Sequence, residues 1–233
     1  MRRIASGLLA AALVLIGAPL LAQRGMGMGG MMPPSISGIW SPVIGSGSVY
    51  ERVDTGSNSK HVMQIAVVSK DTVDGKDGFW LETMNTEGNG QQSVAQIFIV
   101  KDGAQLNFTK MIVQPPGQPP FEISMQMMGM MAGGRGGAAP PTNAVADARA
   151  SGAIVGKETI TTPAGTFECE HWRSADGATE SWLSQKVNPW ALVKSVSPNS
   201  TMTLIKVVTD VKSHIIGTPM KMEDMMRGRG PGL

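Results

Sequence analysis

Five methionines fall within seven residues, from Met125 to Met131, shortly after Phe121. Phe121, Met125, Met127, Met128, Met130 and Met131 form a soft, unbranched apolar set, which adapts to varied apolar partners. The Met-x-Met spacing recurs at Met26 and Met28 and again at Met220 and Met222. Extended backbone places such alternate residues on one face, about 7 Å apart. Thioethers are soft ligands that select Cu(I). Met26, Met28, Met125, Met127, Met220 and Met222 are therefore the candidate ligands of a copper site. A third reading gives these Gly- and Met-rich tracts no ligand at all.

Other chemistry is sparse. The sequence holds no Gly-x-Ser-x-Gly elbow, His-Glu-x-x-His pair, Cys-x-x-Cys pair or phosphate-binding glycine loop. No nucleophile, base or cofactor constellation is visible, which predicts a protein that is not an enzyme and carries no cofactor. Ser57 and Lys60 fit Ser-x-x-Lys, but the companion motifs are missing. His61, His171 and His214 are widely spaced, and an imidazole metal site would need them to converge. Cys169 is the single cysteine, so no disulfide can form within the chain. In a strand it would share a face with Phe167 and His171. It reads as a small buried hydrophobe, with a redox thiol, a metal ligand beside His171 or an intermolecular disulfide as the alternatives.

Residues 1–22 carry Arg2 and Arg3, an apolar run, Pro19 and a small residue at Ala22, the pattern of a cleaved secretory signal peptide. A periplasmic or extracellular location follows, with retention as an anchor as the alternative. No later segment is apolar enough to span a bilayer as a helix. Without Arg2 and Arg3 the Lys+Arg count falls from 20 to 18, equal to Asp+Glu, and the net charge from +2 to zero. No basic surface remains for nucleic acid.

The elements that must position these residues are strands. β-branched enrichment, alternation and closely spaced turn residues predict them at 47–53, 61–70, 79–84, 93–100 and 105–113. A second block follows at 155–162, 166–172, 178–184, 191–197 and 201–211. Asp102-Gly103 and Pro163-Ala164-Gly165 mark hairpins. One helix is predicted, at 142–150. The expected organisation is a low-complexity segment at 23–39, a β domain over 40–217 with a Met/Gly/Pro-rich insertion at 114–153, and a flexible tail at 218–233. The fold class is all-β with minor α: one strongly curved antiparallel sheet, or half-barrel, of ten or more strands. In 93–100, Val94, Phe98 and Val100 oppose Ala95, Ile97 and Ile99. In 201–208, Met202, Leu204 and Val208 oppose Ile205 and Val207. Apolar residues on both faces call for a cover on each, from the curl of the sheet, the insertion or a ligand.

The stretches GKETITTPAGTFECEHW and ESWLSQKVNPWALVKSVSPNSTMTLIKVVTDVKSHIIGTP resemble a group of uncharacterised exported bacterial domains. Its marks are a TPAGTF-x-C hairpin, a Trp-x-Ser strand, a Gly-Leu-Val-Lys-like strand and an SHI-x-GTP ending. GSGSVYERV, DGKDGFWLE and PPFEISM extend a weaker likeness over residues 42–219. Ala191 departs from the pattern, which prefers glycine before Leu-Val-Lys, and this affects a turn rather than a site. Such domains look similar to the LolA-like and LolB-like lipoprotein carriers. That resemblance implies an incomplete antiparallel barrel with an apolar concave face. The expected function is a non-catalytic binder of apolar or lipid-like ligands, or of lipoprotein acyl chains. A Met-rich Cu(I) protein and an interaction domain without a small ligand are the alternatives.

Overall fold

The computed structural model describes residues 39–86, 90–103, 105–124, 152–222 and 224. The expected signal peptide, residues 23–38, the helix expected at 142–150, and Met26, Met28, Met125, Met127, Met128, Met130 and Met131 lie outside them.

Among the described residues, twelve strands form one sheet. β1 (Gly47–Asp54), β2 (Lys60–Val73), β3 (Lys76–Thr86), β4 (Gln92–Asp102), β5 (Gln105–Gln114) and β6 (Phe121–Ser124) make a meander. β7 (Gly152–Thr162), β8 (Gly165–Ser174), β9 (Glu180–Leu183), β10 (Leu192–Val196) and β11 (Ser200–Val208) make a second. β11 pairs antiparallel with β1 and joins the two. The exception to the antiparallel rule is β12 (Met220–Lys221), which lies parallel to β6. The order runs β12-β6-β5-β4-β3-β2-β1-β11-β10-β9-β8-β7, and among the described residues β12 and β7 are the two ends and do not pair with each other, so the sheet is open. The expected antiparallel architecture is present.

Local chemistry explains the hairpins. Asp74 and Gly75 join β2 to β3 with φ of 52° and 74°, the double positive φ of a type I′ turn. At Gly47 a Cβ would collide with the Ile65 carbonyl and with Ala66. At Gly78 it would meet the Ile99 carbonyl and the Phe98 ring. Both glycines let neighbouring strands approach closely.

The larger apolar cluster takes Ile65 of β2, Leu81 of β3, Ile97 and Ile99 of β4, Met111 of β5 and Ile123 of β6. It also takes Trp172 of β8, Trp182 of β9 and Leu204 of β11. Strands so far apart in the sheet share one cluster only if the sheet curls around it. The loop 184–191 fills that interior. Val187, Trp190 and Ala191 are almost wholly buried in the cluster. Trp190 packs on Trp40, with ring centroids 4.6 Å apart, and Trp40 meets Phe79 of β3 edge-on at 6.4 Å. Ser48 Oγ donates to the Asn188 carbonyl at 2.6 Å, and Tyr50 Oη to the Leu192 carbonyl at 2.9 Å. Ile39 and Ser41 donate backbone N–H to the carbonyls of Trp190 and Pro189. We call this loop the plug. Ala191 has φ of 58°, the left-handed conformation that favours glycine, at the position where the resemblance prefers glycine.

The opposite face of β3 and β4 carries a smaller cluster of Trp80, Phe98 and Val100, with Ile112 of β5 packed against it. β4 is thus apolar on both faces, as its alternation predicts. β11 differs. Met202 and Leu204 enter the core, but Val207 on the other face is 39% exposed. The segment 211–219, the strap, leaves β11 and bonds to side chains of β3, β4 and β5.

Two stretches expected to lie outside the strand blocks contribute strand. The segment read as an insertion from 114 begins with strand: β5 runs to Gln114 and β6 occupies Phe121–Ser124. Four residues are too few for periodicity to reveal a strand. The segment read as a tail contributes β12, whose two residues form because the strap delivers them to the β6 edge.

Candidate functional site

β7, β8 and β9 bring a set of ionisable side chains into contact with one another. Alternation along β8 puts Phe167, Cys169, His171 and Arg173 on one side and Glu168, Glu170 and Trp172 on the other. Register sets His171 opposite Trp182 and Arg173 opposite Glu180. The His171 and Trp182 rings stack with centroids 4.5 Å apart and planes 16° apart. Glu158, opposite Cys169, reaches both rings: Oε1 lies 2.8 Å from His171 Nδ1, and Oε2 accepts from Trp182 Nε1 at 3.0 Å. The other ring nitrogen, Nε2, lies 3.3 Å from Glu180 Oε2 without hydrogen-bond alignment. Arg173 binds Glu180 Oε1 through two nitrogens at 2.8 and 2.9 Å. Lys194 Nζ sits 5.2 Å from the centre of the Trp182 ring, a cation–π distance.

These contacts shift charge. The Trp182 N–H, and then His171, hold the Glu158 carboxyl below its usual range. Arg173 does the same for Glu180. Burial, and then the Glu158 charge, push the Cys169 thiol up to about 11. That thiol stays protonated at neutral pH, and its Sγ lies 3.6 Å from the Phe167 carbonyl. A neutral buried thiol is a poor nucleophile and a poor metal ligand. The network is an imidazole held between two carboxylates, with no activated nucleophile beside it.

Next to this network a cleft of about 490 Å³ opens between β7–β8 and the start of the plug. Ile39, Leu183 and Ala191 supply apolar lining. Lys157, Glu168, Glu170 and Lys186 supply charges of both signs. Trp172 Nε1 donates to Glu170 Oε2 at 3.2 Å, which orients that carboxylate. The volume falls within the roughly 300–1,000 Å³ of small-molecule sites. The arrangement suits an amphiphile, with apolar contact inside and a polar headgroup at the rim.

The residues singled out in the sequence are scattered. Phe121 lies in β6, packs against the larger core cluster and does not line the cleft. Met220 is its register partner in β12 and is 44% exposed, while Met222 packs against the core. The three histidines do not converge. His61 Nε2 lies 3.4 Å from Asp54, His171 between Glu158 and Glu180, and His214 Nδ1 lies 2.6 Å from Glu82. Among the described residues no three of His, Cys, Asp and Glu are grouped to hold a metal. Ser57 and Lys60 are not paired: Ser57 Oγ accepts from the Ser59 N–H, and Lys60 Nζ binds Glu51. The cleft charges escaped the sequence reading. Their one signal was the alternation Glu168-x-Glu170 opposite Lys157, which marks a polar side without saying that it faces a hollow.

No protein-family model matches the sequence, and no curated protein matches it. Two solved structures are similar over most of their own length. One, from Parabacteroides distasonis, is provisionally described as a lipoprotein. It shares 14% identity at a TM-score of 0.35, covering 73% of this chain and 98% of that one. The other, from Bacteroides fragilis, is provisionally described as an exported protein with a YmcC-like fold. It shares 12% identity at a TM-score of 0.34, covering 74% and 99%. At these values the likeness decides neither activity nor ligand.

Proposed function

We propose that the chain is an exported, non-catalytic binding domain that takes a small amphiphilic or lipid-like ligand in the cleft between β7–β8 and the plug. The cleft carries this reading, because it joins apolar lining to a rim of both charges. The apolar interior under β1–β6 is less available, being packed with Trp40, Val187 and Trp190. Lipoprotein acyl chains, which the LolA-like resemblance implies, are the first ligands to try. The methionines at 125, 127, 128, 130 and 131 stay in the proposal as contacts for the ligand's apolar part, whereas Phe121, packed against the core from β6, is left out of it. In sequence the five methionines lie on the connection that leads into β7.

The test uses the full chain purified natively from an exporting host. Extracted lipid is identified by mass spectrometry, and uptake of a fluorescent fatty acid is titrated. Thr159, an exposed cleft residue, is replaced by tryptophan to fill the hollow. Uptake by the native chain and its loss in Thr159→Trp, at unchanged melting temperature, is the expected result. A lipid-free chain that takes up no fatty acid overturns the reading.

A further inference from the structure

The strap is laid on the sheet without burying a side chain of its own. Every residue from 211 to 219 is exposed or only partly buried, and Ile216 is 78% exposed. Its hold on the sheet is polar. The Glu82 carboxylate, 1% exposed, accepts the His214 backbone N–H at 2.9 Å, and its other oxygen lies 2.6 Å from His214 Nδ1. Gln96 Nε2 bonds both Glu82 and the Ser213 hydroxyl, at 2.8 and 2.6 Å. Gln114 pairs with both backbone groups of one residue: Oε1 accepts the Ile216 N–H at 2.8 Å, and Nε2 donates to the Ile216 carbonyl at 3.2 Å. Glu82 and Gln96 are register partners on adjacent strands, and Gln114 lies on the next, so three side chains in neighbouring strands grip Ser213, His214 and Ile216 of the strap. Backbone bonds tie the ends, Val211 to the Gly45 carbonyl and Met220 to the Pro120 carbonyl.

We infer that residues 211–221 are a detachable strap that opens as one unit while the sheet beneath stays folded. Segments with little apolar burial and solvent-accessible hydrogen bonds belong to the low-stability end of a fold. Here one row of polar side chains carries the attachment, so loosening it at one point loosens it along its length. Opening bares the Glu82 carboxylate. It also lifts β12 from β6 and exposes that strand's outer edge, because β12 is the neighbour of β6 on that side. A free strand edge is a template for an extended partner chain. The closed strap therefore shields both a buried charge and a pairing edge.

Hydrogen exchange of the full chain, read by mass spectrometry and by amide NMR, tests this. The His214 and Ile216 amides should exchange at least about tenfold faster than the core amides of β3 and β4. His214→Ala, which removes one charge-assisted contact, should speed exchange at Ile216 by about tenfold with little change in melting temperature. Ser213→Ala, which removes only a hydroxyl, should act the same way if His214→Ala disturbs the fold. Equal exchange in the strap and in β3–β4 overturns the inference, because the strap then opens only with the whole sheet. Unchanged exchange at Ile216 in a folded variant also overturns it, because the strap then does not move as a unit.

Discussion

The plug and the strap are both irregular segments laid across the same sheet, and they are held by opposite means. The plug presents Val187, Trp190 and Ala191, all essentially buried, and is framed by Trp40, Tyr50 and Leu192. The strap buries none of its own side chains and hangs on Glu82, Gln96 and Gln114. Apolar contact gains with every square ångström removed from water and needs no particular partner. A polar contact returns little net stability, since water offers the same bonds, but it penalises the buried partner heavily if left unmade. The plug is thus part of the core, and the strap is a removable cover over polar groups.

The largest effect expected from this contrast is at Trp190. Trp190→Ala should cost about 3–5 kcal/mol, the usual loss for a buried large aromatic. Urea unfolding followed by circular dichroism measures it, and a loss below about 1 kcal/mol would reduce the plug to a surface loop. Tyr50→Phe isolates the polar tie at the plug's exit. It removes the bond to the Leu192 carbonyl while keeping the ring, and should cost about 1 kcal/mol in the same experiment.

The carboxylates around His171 sharpen the comparison with a third, more exposed network. Glu158 and Glu180 are both held below their ordinary range in the folded chain. A depressed carboxyl contributes stability above its unfolded value, roughly pH 4.3, and loses it as pH falls through the folded value. The native chain should therefore weaken below about pH 4, and Glu158→Gln with Glu180→Gln should flatten that acid limb. Unfolding midpoints at pH 6 and pH 3.5 compare the two, and equal acid slopes would remove these groups as its cause. The smallest effect belongs to the strap. Gln114→Ala should shift global stability by no more than about 0.5 kcal/mol, as for a surface change away from the core. A loss like that at Trp190 would erase the distinction between the two covers.

Much of the fold was legible because strands announce themselves locally. The alternation of Val94 to Val100 placed residues on both faces of β4, and the structure buries both sets. Asp102-Gly103 and Pro163-Ala164-Gly165 sit at the two hairpins where turn chemistry puts them. The odd alanine at 191 falls on a left-handed residue, as a departure from glycine in a turn suggests. The candidate site was much less legible. Cys169 and His171 were visible as neighbours on one strand face, yet their partners Glu158, Glu180 and Trp182 come from two other strands. The cleft joins residue 39 to β7, β8 and the plug, positions that no local pattern relates.

By itself the sequence determined the strand periodicity, the hairpins, the lack of an internal disulfide and the need for cover on an apolar strand's second face. Each follows from side-chain alternation, turn geometry or residue count, which act over a few neighbours. Only the tertiary structure decided which segments answer that need. Trp190 packs on Trp40 across 150 positions, and His214 meets Glu82 across 132. Such contacts depend on how the sheet curls and where β11 delivers the chain. Burial and polar pairing between distant segments are settled by three-dimensional packing, and the local pattern records only that a partner is required.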